Sequence, residues 1–90
     1  MKYVLLYEAA EGFLAKVPAN IEAHRALWKQ FHAQGTLLMV GPFTDLPAGG
    51  ALAIFTSRAA AEEFVKADPF VSHGLVARWT IREWKEVLAP

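Results

Sequence analysis

Two side chains distant in the sequence, His24 and Asp68, are the best-placed residues for chemistry in this chain. A carboxylate that bonds one imidazole nitrogen fixes the ring tautomer and stabilises the protonated form. The other nitrogen is then free to take or give a proton as general base or acid. His24 lies in the run Ile21, His24, Trp28, Phe31, which repeats at helical spacing and puts the imidazole on an apolar helix face. Asp68 stands before Pro69, and a residue before proline is pushed out of the helical region, so Asp68 reads as the N-cap of a new short turn. Each residue also has a purely structural reading. His24 would then be a core histidine bonded to a backbone carbonyl, and Asp68 a helix cap and no more. Gly41, Pro42, Phe43 and Phe70 are the candidate substrate-binding residues, a rigid and partly apolar wall beside the free imidazole nitrogen. Tyr7, at the end of an apolar run, is a further hydroxyl whose direction the sequence leaves open.

Most other site chemistries lack their residues. There is no GxSxG, HExxH, phosphate loop or dinucleotide-binding glycine run, and no cysteine for thiolate chemistry or disulfides. Three histidines are present, but His24 and His32 are eight residues apart, roughly 12 Å along a helix, too far to ligate one ion together. Neither a metal nor a cofactor is expected.

The elements that must bring His24 and Asp68 together follow from pattern. Tyr3 to Tyr7 is a strand with apolar residues on both alternating sets. Gly12 to Lys16 is either a loop or a helical turn. Pro18 opens a helix of four to five turns that ends before Gly35. Thr36 to Phe43 and Ala51 to Thr56 are strands joined by the turn-rich segment Thr44 to Gly50. Ser57 caps a helix over Ala59 to Lys66, Asp68 to Leu75 forms the capped turn, and Val76 to Val87 is the last strand. There Ala77, Trp79 and Ile81 alternate with Arg78, Thr80 and Arg82. The order βαββαβ is that of a ferredoxin-like split βαβ domain, an α+β fold with both helices on one face of a four-stranded antiparallel sheet.

Size and composition bound the rest. Ninety residues make one domain, taken as 1–90, with a marginal core. The hydrophobic share, 54%, exceeds the roughly 45–50% usual for globular domains. Three of the four strands carry apolar residues on both faces, so the sheet face away from the helices is expected to pack on a second copy in a homodimer. The alternative is a chain that covers itself with its own tail. Trp28, Trp79 and Trp84 read as core or dimer anchors rather than ligand stackers, and Arg78 and Arg82 as a solvated face or as rim pairs with Glu83 and Glu86 rather than as an attraction for an acidic substrate. Equal numbers of basic and acidic residues, 9 each, argue against nucleic acid or an anionic membrane as partner. No run approaches the roughly 18 apolar residues of a membrane span, and the apolar start is too short for a signal peptide, so a cytoplasmic protein is expected.

The combination of His24, Gly35-x-Leu37, Gly41-Pro42-Phe43, Asp68-Pro69-Phe70 and Gly74-Leu75 resembles the YCII-related (YciI-like) family over nearly the whole chain. That resemblance implies a dimeric ferredoxin-like α+β barrel and a site built on a histidine and an aspartate, here His24 and Asp68. Lyase-type chemistry, including dehydrochlorination, is attributed to part of the family. His73 departs from the pattern, standing where a small residue would precede the Gly-Leu pair, and is expected to face solvent.

The leading functional expectation is a small cofactor-independent enzyme in which His24, held by Asp68, abstracts a proton from a small acidic or aromatic-derived molecule, with elimination or isomerisation to follow. A weaker enzyme alternative is a cofactor-free monooxygenase. The other readings are a non-catalytic ligand-binding or sensing dimer and a structural module whose polar pair is sealed from solvent.

Overall fold

The computed structural model describes all 90 residues. The chain runs β1 (Lys2–Ala9), a 3-10 turn (Phe13–Lys16), α1 (Val17–Ala33), β2 (Leu37–Pro42), β3 (Ala51–Phe55), α2 (Arg58–Ala67), α3 (Pro69–Ser72) and β4 (Val76–Trp84). The strands form one antiparallel sheet in the order β2-β3-β1-β4, with the helices on one face. This is the ferredoxin-like α+β fold expected from the element order.

Local chemistry sets the helix limits. Pro18 occupies the first turn of α1, where its missing N–H costs no hydrogen bond. Gly35, at φ 81°, takes the left-handed position after the last turn that glycine adopts without a Cβ clash. The Ser57 hydroxyl accepts from the Ala60 N–H and caps α2.

The sheet is two-sided by register. On the helix side, Leu5 stands opposite Ala53 and Ile81, and Tyr7 opposite Ala51 and Trp79. There Leu5, Phe31, Leu37, Phe55 and Phe64 form the core, with the Phe31 and Phe64 rings edge to face at 5.3 Å. On the far side, Val4 stands opposite Ile54 and Arg82, and Leu6 opposite Leu52 and Thr80. These aliphatics are half-buried, and Met39 and Trp84 are exposed.

Three boundaries differ from the sequence expectation. β1 is longer at both ends, because β4 offers partners out to Lys2 and Ala9. β4 stops at Trp84 rather than Val87, because Trp84 pairs with Lys2 and no earlier β1 residue remains to extend the ladder. In β2 a bulge between Leu37 and Met39 breaks the alternation, which makes Leu37 and Val40, not Leu37 and Met39, share the core side. The charges also pair differently. Arg78 bonds Glu8 across the strand, and Glu86 bonds Lys2 and the N-terminus. The Lys2 hydrogen bond is the main cause holding the Glu86 carboxyl down to about 2. No helix is long and apolar enough to cross a membrane.

Candidate active site

The site begins with the chain reversal between α2 and α3. Ahead of Pro69, Asp68 takes an extended backbone, φ −75° and ψ 118°, which ends α2 and frees its side chain to cap α3. Its Oδ1 accepts from the Phe70 N–H at 3.0 Å. The same oxygen lies 2.8 Å from His24 Nδ1, and Oδ2 accepts from the Tyr7 hydroxyl at 2.7 Å. Asp68 is fully buried. It is both a helix cap and the partner of His24, so the two readings of the sequence describe one carboxylate.

His24 projects from the middle of α1 with its side chain 11% exposed. Its ring stacks on Phe70 at 3.8 Å and 4°, and meets the edge of Phe64 at 6.4 Å. An ionised carboxylate only accepts, so the network assigns the Nδ1 proton as donor and leaves a lone pair on Nε2. Nε2 makes no hydrogen bond within the protein, yet no buried side-chain nitrogen or oxygen lacks a partner. Nε2 is therefore not sealed off, and His24 lines a cavity.

That cavity holds about 600 Å³ and lies between α1, the helix side of β1 to β3, and the segment Phe43 to Gly50. This is within the usual range for small-molecule sites, about 300–1,000 Å³. Gly41, Pro42, Phe43 and Phe70 line it, as does Trp28; Asp68 stands behind His24, out of contact with it. Its walls are mostly apolar, and the lining side chains that carry a polar group are His24, Arg25, Tyr7, Thr44 and the indole of Trp28. The glycines that end the Phe43 to Gly50 segment are set by close approach. A Cβ on Gly50 would lie 2.5 Å from the Tyr7 carbonyl oxygen, and one on Gly49 would strike the Phe13 ring at 2.6 Å.

Tyr7 is the group whose direction the sequence left open. Strand alternation puts it with Tyr3 and Leu5, and that set proves to be the helix-facing one. Burial raises the Tyr7 pKa far above the ordinary phenol range, with the adjacent Asp68 charge and hydrogen bond adding to the effect. The hydroxyl is thus a permanent proton donor to Asp68.

The remaining candidates lie elsewhere. His32 Nδ1 bonds the Leu37 carbonyl at 2.9 Å, beyond the end of α1. His73 is exposed at the end of α3. Trp79 and Trp84 are 42% and 46% exposed. No three His, Asp or Glu side chains converge as a metal site would require.

Comparison with known proteins agrees with this architecture. The YCII-related domain model matches residues 1–85, and the chain belongs to that family. Among solved structures, 5-chloro-2-hydroxyhydroquinone dehydrochlorinase from Burkholderia phenoliruptrix AC1100, in complex with 2,5-dihydroxybenzoquinone, is similar at 26% identity and a TM-score of 0.76, over 94% of each chain. An antibiotic biosynthesis monooxygenase is similar in fold at 16% identity and a TM-score of 0.64, over 98% of this chain and all of the other. No curated protein matches the sequence.

Proposed function

We propose that this member of the YCII-related family is a small cytoplasmic enzyme that removes a proton from a small aromatic-derived or quinoid molecule, without a cofactor. His24 is the general base and Asp68 the group that orients it. The observation that carries this reading is the asymmetry of the imidazole: Nδ1 is held by a buried carboxylate, while Nε2 has no partner in the protein and His24 lines a cavity of about 600 Å³. Similarity to a dehydrochlorinase with a quinoid molecule bound supports the same reaction class.

In such a step Nε2 takes a proton from substrate, and the electron pair it leaves expels a group from a neighbouring position. Substrate H–X becomes unsaturated product, X⁻ and imidazolium, which later returns its proton to water. Atoms and electrons balance within the substrate. A flat ring would slot against Phe43 and Trp28, and the fixed tautomer spares the base a reorientation.

The test is chloride release from 5-chloro-2-hydroxyhydroquinone, a net loss of HCl. The wild type should catalyse it, and His24→Gln should lose the roughly 10²–10⁴-fold that a positioned general base supplies. Equal release by both proteins would sink the assignment. Ligand-induced stabilisation by 2,5-dihydroxybenzoquinone with no turnover of any analogue would favour the second reading, a binding or sensing protein built on the same cavity.

The proposal extends to a homodimer with sheets packed face to face. Val4, Leu6, Leu52 and Ile54 floor a cleft of about 350 Å³ on the helix-free side, walled by Trp84, Arg82 and Glu83. Sedimentation of the wild type should give twice the chain mass, and Leu52→Asp should shift it to the monomer. A monomeric wild type would remove the dimer and leave the site chemistry standing.

A further inference from the structure

Arg25 is a permanent cation in the wall of the cavity that nothing in the protein neutralises. It makes no ion pair and no side-chain hydrogen bond. The arginines of β4 differ. Arg78 is paired with Glu8, and Arg82 lies on the opposite face of the sheet. No carboxylate lines the cavity, because Asp68 is hidden behind His24.

The helix places this charge with respect to the base. Successive residues turn by about 100°, so Ile21 and Trp28 project between the directions of His24 and Arg25. All four line the cavity. His24 and Arg25 thus mark the two flanks of one apolar stripe, and a ring laid on Ile21 and Trp28 has the base at one side and a guanidinium at the other.

We infer that Arg25 selects the substrate, holding a deprotonated oxygen (phenolate, enolate or carboxylate) on a small ring whose other end faces His24. This rests on the proposed function and narrows its substrate class to anions. Guanidinium binds such oxygens through paired N–H donors, and charged hydrogen bonds are worth more than neutral ones, roughly tenfold or more in affinity. The apolar walls explain why one charge counts: besides Arg25, the lining side chains offer an anion only His24, Thr44 and the Trp28 indole N–H, since the Tyr7 hydroxyl is given to Asp68. Arg25 is exposed, so salt should weaken the contact.

The test is calorimetric binding of two probes of one shape, 2,5-dihydroxybenzoquinone, a vinylogous acid that is anionic at neutral pH, and its neutral 2,5-dimethoxy analogue. The wild type should prefer the anion roughly tenfold. Arg25→Gln should abolish that preference while keeping the neutral probe's affinity. Arg25→Lys should restore part of it, and Lys66→Gln, a cation removed from the exposed face of α2, should change nothing. His24→Gln should keep the preference for the anion although it loses turnover, which separates this inference from the assignment of the base. An undiminished preference in Arg25→Gln would overturn the role of Arg25 and leave the base untouched. A wild type that binds neither probe would overturn both the anionic substrate class and the quinoid reading beneath it.

Discussion

The middle and the last turn of α1 hold two histidines in contrasting settings. Each gives its Nδ1 to an oxygen at nearly the same distance, 2.8 Å for His24 and 2.9 Å for His32. The acceptor differs. His24 meets a fully buried carboxylate brought from 44 residues away, whereas His32 meets the Leu37 carbonyl, five residues on, where the chain turns into β2. The surroundings differ too. His24 is stacked on Phe70 and lines an apolar cavity, while His32 is exposed. Residue type and parent helix are shared, so what separates a candidate base from a local tether is the group across from it and the space behind it.

The contrast breaks most sharply at Asp68. Asp68→Ala removes a buried acceptor from Tyr7, His24 and the Phe70 N–H at once, and should cost about 3–5 kcal/mol of stability, seen in urea titration. Asp68→Asn is the finer tool. With the amide oxygen kept at the Oδ1 place, the cap and the Nδ1–H bond both survive and the NH₂ meets the Tyr7 hydroxyl, so the tautomer stands but the charge that stabilises the imidazolium is gone, and turnover should fall with less damage to the fold. Wild-type activity in Asp68→Asn would show that His24 needs no carboxylate and is closer in kind to His32 than its geometry suggests.

Tyr7 gives a smaller effect. Tyr7→Phe leaves Asp68 Oδ2 without its donor and should cost about 1–3 kcal/mol. The pH dependence has a definite sign. The Tyr7 pKa is raised on folding, so its contribution is whole below the unfolded value of 10.0 and declines above it, where the unfolded chain has lost a proton that the native state keeps. Above pH 10 stability should fall by about 1.4 kcal/mol per pH unit from this group, and Tyr7→Phe should lack that component.

The smallest change belongs to the last turn of the helix. His32→Ala removes one part-buried bond to a carbonyl, worth about 0.5–1 kcal/mol, and should leave ligand binding in the cavity as it was. A drop in binding would mean that the middle and the last turn of α1 are coupled, and the contrast would weaken.

How far the sequence reached follows the same division between local and distant contacts. The α1 stripe, its proline start and glycine end, the Asp68-Pro69 break and the βαββαβ order are encoded by neighbours, and they read directly. The helix-facing side of β1 did not, because Tyr3/Leu5/Tyr7 and Val4/Leu6 are both apolar and only packing decides which set meets the helices. The direction of Tyr7 depended on that choice. The bulge in β2 was hidden for a similar reason: four consecutive apolar residues, Leu37 to Val40, keep their pattern under a one-residue slip. Arg25 falls off the apolar stripe of Ile21, His24, Trp28 and Phe31. Its place beside the cavity depends on the Phe43 to Gly50 segment folding back, through a close approach at Gly50 that no local pattern announces.

Proton abstraction at His24 can be read most directly without a leaving group, as exchange of ring hydrogens of 1,2,4-trihydroxybenzene into D₂O, followed anaerobically by proton NMR. The wild type and His32→Gln should accelerate the exchange to the same extent, and His24→Gln should return it to the rate without protein. Exchange by His24→Gln at the wild-type rate would contradict the assignment of this imidazole as the base.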